Sequence, residues 1–175
     1  MEGETDYRWF VLAGFALVAA IVVAAILISR SSGDDSGGEG SASAAKEIEE
    51  RGKPKVSVQK GAEPPKELVS NELVEGSGEE AKVGDEVSVQ YVGVNYKTGK
   101  EFDSSWSRGE PFSFTLGKGE VIPGWDQGVE GMKVGGRREL IIPPELGYGK
   151  AGSPPVIPPN ETLVFVVDLE GVKSK

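Results

Sequence analysis

Seven aromatic residues, Tyr91, Phe102, Phe112, Phe114, Trp125, Tyr148 and Phe165, and one carboxylate among them, Asp103, carry the most informative chemistry of this 175-residue chain. Each aromatic alone is ordinary core material. Drawn from every part of one domain, they point to an apolar pocket with a few polar tips. The chain has no Cys and no His, which removes disulfides, thiolate nucleophiles, imidazole bases and the commonest soft metal ligands. Ser104 and Ser105 beside Asp103 have no His and no Ser-Lys arrangement to activate them, so they are poor nucleophiles. The carboxylates are dispersed, without the spacing of a metal loop or of a paired acid-base site. No metal and no cofactor is expected.

Other motifs are weaker. Gly147-Tyr-Gly-Lys-Ala-Gly152 matches the dinucleotide pattern G-x-G-x-x-G, but it follows Pro143-Pro144 and runs into SPPVIPP, with no helix to face a phosphate. Its glycines read as a tightly turning loop. Asn160-Glu161-Thr162 is a glycosylation sequon of a kind that arises often by chance. Lys and Arg total 19 against 28 Asp and Glu, and the net charge of −9 opposes a polyanion backbone, so nucleic acid is not an expected partner.

The elements that must position the aromatics follow from periodicity. From Pro54 onward, short alternating apolar runs separated by Gly and Pro read as one antiparallel, mainly β domain over residues 54–175. Strands are expected at Val56–Val58, Glu67–Val74, Glu86–Val94, Pro111–Leu116, Arg137–Ile142 and Thr162–Leu169. Val87, Val89 and Tyr91 share one face, as do Phe112, Phe114 and Leu116. One short helix is expected at Pro123–Glu130, with Pro in its first turn, Trp125, Val129 and Met132 on one stripe, and Gly131 and Gly135 as stop signals. Such a helix can lie across the concave side of the sheet.

Upstream, Trp9–Ile28 is a run of twenty residues without a charge, enough to cross a hydrocarbon core of about 30 Å, with Arg8 and Arg30 at its edges. A transmembrane helix over residues 9–28 is expected. The acidic leader MEGETDYR and an apolar run longer than the roughly 7–15 residues of a signal peptide favour an uncleaved anchor. Residues 29–53, rich in Ser, Gly, Asp and Glu, read as a disordered linker in which a short helix would have one apolar anchor, Ile48. The flanking positive charges are nearly tied. An apolar segment ahead of a linker and a domain reads as a signal anchor, with the N-terminus inside and the domain extracytoplasmic.

Tyr91-Val-Gly93, Lys100-Glu-Phe-Asp-Ser-Ser105, Pro111-Phe-Ser-Phe114, Leu116-Gly-Lys-Gly-Glu-Val-Ile-Pro-Gly-Trp125, Gly131-Met-Lys-Val-Gly135, Ile142-Pro-Pro-Glu-Leu-Gly-Tyr-Gly149 and Ile157-Pro-Pro-Asn-Glu-Thr-Leu-Val-Phe165, in that order, resemble the FKBP-type peptidyl-prolyl cis-trans isomerases. The resemblance spans about residues 67–172, and its seven blocks together are specific where any one would be weak. It implies an α+β fold, a twisted antiparallel sheet wrapped around one short α-helix, with an apolar pocket between them. It also implies an enzyme that accelerates rotation about X–Pro bonds; a chaperone or binding module that holds Pro-containing segments without turnover is the alternative.

By that resemblance, Tyr91, Phe102, Asp103 and Tyr148 are the catalytic set. Phe112, Phe114, Val121, Ile122, Trp125, Val156, Ile157 and Phe165 bind substrate. Trp125 would lie under the substrate proline, Ile122 N–H and the Tyr148 hydroxyl would reach peptide carbonyls, and Val156 and Ile157 would belong to a mobile rim. Asp103 would either polarise the pocket or hold a neighbouring side chain. Ser153, where many members carry His or another residue, departs from the pattern and, with Pro155, bears on rim shape and sequence preference. The expected partners are Pro-containing unfolded or partly folded proteins near the membrane, macrolide immunosuppressants as inhibitors, and the membrane itself through residues 9–28. A monomer without cofactor is expected.

Overall fold

The computed structural model describes residues 38–58 and 61–174. The expected membrane span, residues 9–28, lies outside them, as do residues 29–37 of the expected linker. Among the described residues, no helix is long and apolar enough to cross a membrane.

Helix α1 (Gly38–Arg51) precedes strands β1 (Val69–Val74), β2 (Glu86–Asn95) and β3 (Glu101–Ser104). A four-residue helix α2 (Ser105–Arg108), strand β4 (Phe112–Thr115), helix α3 (Pro123–Val129), strand β5 (Arg137–Ile142), a 3-10 turn (Pro144–Leu146) and strand β6 (Leu163–Lys173) complete the order. The sheet runs β1-β5-β6-β2-β3, with β4 also on β2, and every pairing is antiparallel. One strand, β2, therefore serves two partners along the same edge: Glu86–Val89 pair with β4, and Val92–Val94 with β3.

Period 2 divides the sheet into two faces. Val87, Val89 and Tyr91 of β2, with Phe165, Val167 and Leu169 of β6, join Trp125 and Val129 of α3 in the main core. Val92, Val94 and Val164 form a second cluster, covered by Val56, Val58, Tyr96, Trp106 and Ile141. Pro123 stands at the helix start, where its missing N–H costs nothing. Gly124 and Gly128 allow α3 to press on β5: a Cβ on either would come within 2.5–2.6 Å of Ile142 or Leu140 side-chain carbons.

Two expectations are corrected. Residues 38–51 are not a disordered linker but helix α1, packed on the sheet. Ala44 and Ile48 are buried, Ser41 Oγ donates to the Glu170 carbonyl at 3.1 Å, and Arg51 Nη2 donates to the Gly135 carbonyl at 2.6 Å. The next turn is held as well: Arg137 donates from Nε and Nη2 to the fully buried Asp168 (2.7 and 3.0 Å), and Nη2 also reaches the Gly52 carbonyl at 2.9 Å. Tertiary contact stabilises this helix where its Gly- and Ser-rich first half is a poor helix former. Val56–Val58 is no strand; its two valines cover the second cluster without joining a ladder. Strand β3 and helix α2 were not anticipated, and β6 continues to Lys173.

Candidate functional site

The site is built where β2, β3, β4, β6 and α3 converge. Tyr91 is directed inward by its place in β2, and its ring meets Trp125 edge-on at 5.0 Å between centroids. Trp125, on the first turn of α3, takes Phe165 edge-on at 5.2 Å and lies 5.7 Å from Phe114 and 6.2 Å from Phe112. Phe102 of β3 meets Phe165 edge-on at 5.4 Å. Edge-to-face pairs of this kind add about 0.5–1.5 kcal/mol each to the burial they bring. Gly93 makes the Phe102–Phe165 contact possible, because a Cβ there would lie 2.7 Å from Phe165 and 2.8 Å from Phe102.

Within this cluster the residues differ in exposure. Trp125, Tyr91, Phe165 and Phe114 are buried, whereas Phe112 is 36% exposed and Val156 41% exposed. Phe114 stacks behind Phe112 at 5.7 Å and supports it. Ile157 is buried in the core, and Phe102, Val121, Ile122 and Tyr148 pack against that core while partly exposed. The structure thus brings all the expected aromatics together, with Val121 and Ile122 at the entry to α3 and Val156 on the loop after Tyr148. Ile122 accepts at its carbonyl from Trp125 N–H at 2.9 Å, and its own N–H takes no part in the backbone bonds found among the described residues.

Polar order is concentrated at one edge. The Tyr91 hydroxyl donates to Asp103 Oδ2 and accepts from Arg108 Nη2 at 2.9 Å. Arg108 Nη1 donates to Asp103 Oδ1 at 2.6 Å, an oxygen that also accepts Ser104 N–H at 2.8 Å. Asp103 therefore does hold a neighbouring side chain. Burial pushes the Tyr91 hydroxyl far above the ordinary tyrosine range, with further push from its bond to Asp103 and that carboxylate's charge, opposed by Arg108. Tyr148 is raised too, by burial and then by the charge of Asp103. Both hydroxyls stay protonated donors at neutral pH.

Arg108 was missed by sequence reasoning. A lone arginine after Trp106-Ser107 reads as solvated, and its relation to Asp103 exists only because α2 makes one turn between them. Ser105 was rejected as a nucleophile, and its hydroxyl has a structural use: it accepts Tyr91 N–H at 2.7 Å and donates to Gln90 Oε1 at 2.6 Å. The Gly147–Gly152 stretch forms a loop, as expected. At Gly152 (φ 62°) a Cβ would lie 2.4 Å from the Pro158 carbonyl oxygen, so the loop closes on its own backbone there. A separate concavity of about 440 Å³ lies between α1 and the end of β1, bordered by Glu47, Glu50, Arg51 and Val74; no aromatic lines it.

Comparison with known proteins agrees with this geometry. A family model described as FKBP-type peptidyl-prolyl cis-trans isomerase matches residues 77–170. An FK506-binding protein of Streptomyces anulatus is 58% identical over 113 residues, covering 64% of this chain and 91% of that protein. The peptidyl-prolyl cis-trans isomerase FPR2 of Saccharomyces cerevisiae is 56% identical over 94 residues, 54% of this chain and 70% of the relative. Among solved structures, the crystal structure of AtFKBP13 superposes with a TM-score of 0.58 at 42% identity, over 63% of this chain and 96% of that one. A match over more than half of the chain, laid on the strands and helix that gather the aromatics, makes this protein a member of the FKBP-type peptidyl-prolyl cis-trans isomerases and an enzyme of that type.

Proposed function

We propose that this isomerase turns X–Pro bonds of unfolded or partly folded protein segments in the aromatic pocket, close to a membrane to which residues 9–28 anchor it. The observation that carries the pocket assignment is the Trp125 ring met edge-on by Tyr91 and Phe165, with Tyr91, Asp103 and Arg108 bonded at its side. An X–Pro amide must lose resonance to rotate, against a barrier of about 20 kcal/mol. No bond breaks, so no nucleophile or general base is required. An apolar enclosure disfavours the planar, more polar amide relative to its twisted form, and Trp125 is the floor on which the proline ring rests. Ile122 N–H and the Tyr148 hydroxyl are the donors to the peptide's carbonyls. Each tenfold in rate needs only about 1.4 kcal/mol of preference for the twisted state.

Tyr91, Phe102, Asp103 and Tyr148 act on the rotating bond or hold the groups that do. Phe112, Val121, Val156 and Phe165 contact the substrate; Phe114 and Ile157, expected to bind it as well, are buried and stand behind them. The relatives named FK506-binding proteins support a macrolide of that kind as a competitor for this pocket. Titrating a Leu-Pro peptide into the isotopically labelled full chain tests the site by NMR. Shifts centred on Ile122, Trp125 and Tyr148 are expected, and shifts confined to other surfaces would contradict it.

Membrane placement rests on the twenty uncharged residues Trp9–Ile28. Nine residues separate Ile28 from the start of α1 at Gly38, and at roughly 3.5 Å per residue they span at most about 30 Å. With α1 packed on the domain, the isomerase works close to the bilayer surface, as a monomer on the extracytoplasmic side. Ser174→Cys creates one thiol in a chain that has none. Labelling of intact cells by an impermeant reagent is expected; protection until lysis would overturn the orientation.

A further inference from the structure

Asn95 closes β2, four residues beyond Tyr91, and is only 5% exposed. Its backbone is committed locally: Asn95 N–H donates to Lys100 O at 2.9 Å, and its carbonyl accepts Gly99 N–H at 2.7 Å, closing the turn to β3. The side chain points elsewhere. Nδ2 donates to the Val156 carbonyl at 3.2 Å, sixty-one residues away in sequence, while Oδ1 is buried with no hydrogen-bond partner among the described residues.

An amide that is desolvated to make one bond, with its other end unsatisfied, is a poor choice for stability alone; a leucine would fill the same space without a stranded acceptor. The bond it does make is to the rim. Residues 153–157 close on themselves, with Ser153 N–H to Ile157 O at 2.8 Å and Ile157 N–H to Ser153 O at 3.0 Å, and Ile157 is sunk in the core. Ile157 alone leaves the tip free to pivot about one point. Asn95 supplies a second point of attachment, at the carbonyl of the residue whose side chain is 41% exposed at the rim.

We propose that Asn95 is a positioning residue that sets substrate preference, by holding Val156 at a fixed height over the pocket through its Nδ2–carbonyl bond. It connects the strand that carries Tyr91 to the loop that begins at Tyr148, so both walls of the pocket share one strut. The substrate feature it governs is the residue beside proline that Val156 meets, and bulky apolar residues there benefit most from a fixed rim. This inference rests on the proposed place of Val156 in the substrate site.

The test compares wild type, Asn95→Leu, Asn95→Asp and Val156→Ala as full chains in mild detergent, on a series of X-Pro peptides with small and bulky X. Asn95→Leu keeps the volume and drops the donor, and Asn95→Asp sets an acceptor against a carbonyl. Both are expected to raise KM for bulky X by about fivefold, as loss of one uniform binding contact does. kcat is expected to stay within about twofold, with the spread between bulky and small X reduced. A merely structural role would instead lower the melting temperature and leave the KM ratio between peptides unchanged, which overturns the proposal. If Val156→Ala alters the KM ratio and neither Asn95 variant does, the strut is refuted and the rim reading stands. If Val156→Ala also leaves it unchanged in an active enzyme, the rim reading falls and the strut with it.

Discussion

The Tyr91 hydroxyl donates to Asp103 Oδ2 while accepting from Arg108 Nη2 at 2.9 Å, so a ring packed against Trp125 is fixed by two opposite charges at the pocket edge. Asp103→Ala leaves the Tyr91 phenol and Arg108 Nη1 without their acceptor. Stranding such partners costs about 1–3 kcal/mol, and kcat/KM is expected to fall about tenfold or more with the far-ultraviolet circular dichroism unchanged. Tyr91→Phe keeps the ring and is expected to cost about two- to fivefold. A larger loss in Tyr91→Phe than in Asp103→Ala, in the same peptide assay, would contradict this ordering.

Phe102 and Tyr148 divide packing from hydrogen bonding. Phe102→Ala removes the ring that meets Phe165 at 5.4 Å, and activity is expected to fall further than in Tyr148→Phe, which loses only the hydroxyl proposed as a donor to substrate. Steady-state rates on one peptide for the two variants check this; equal activity to wild type in both would remove them from the pocket.

Alkaline stability carries a sign that can be measured. Tyr91 and Tyr148 are both raised, burial being the first cause in each and Asp103 contributing after it. A group with a raised folded-state value contributes stability that is fully present below its unfolded value, about 10 for tyrosine, and is lost as pH rises toward the folded one. Stability is therefore expected to fall above about pH 10, and to fall less in Tyr91→Phe. Urea unfolding at about pH 9 and 11 reads the slope; identical slopes in the two proteins would count against it.

Helix α1 offers a test of its docking. Ile48 is fully buried, and Ile48→Ala is expected to lose about 2–4 kcal/mol of stability, with kcat/KM kept within about twofold because Ile48 lies outside the cluster that gathers the pocket aromatics. Denaturant unfolding and the peptide assay, run on the same preparation, separate the two. No change in stability would mean that the segment is not packed on the domain.

Legibility from sequence followed the source of each element's stability. Strand β5 occupies Arg137–Ile142 and helix α3 starts at Pro123 as expected, since alternation and a proline at the first turn are local signals. Helix α1 was legible only as a short helix over residues 44–51 anchored by Ile48, because GEGSASAA is polar and what holds the whole helix is remote: Ala44 and Ile48 in the packing, Arg51 on the Gly135 carbonyl. Strand β3, with Phe102 its one apolar residue, exists through its pairing with β2. Most of the site was legible because the aromatics are residues whose burial is expected. Arg108 and Asn95 were not, because a hydrogen bond to a partner seventeen or sixty-one residues away leaves no periodic trace.

The most direct measurement of the central claim is the rate of cis-trans exchange of a Leu-Pro peptide, read by NMR with catalytic amounts of the full chain, with and without FK506. Acceleration over the uncatalysed lifetime of tens of seconds is expected, abolished by the macrolide and strongly reduced in Asp103→Ala. A folded protein that binds the peptide and leaves its exchange rate unchanged would contradict it.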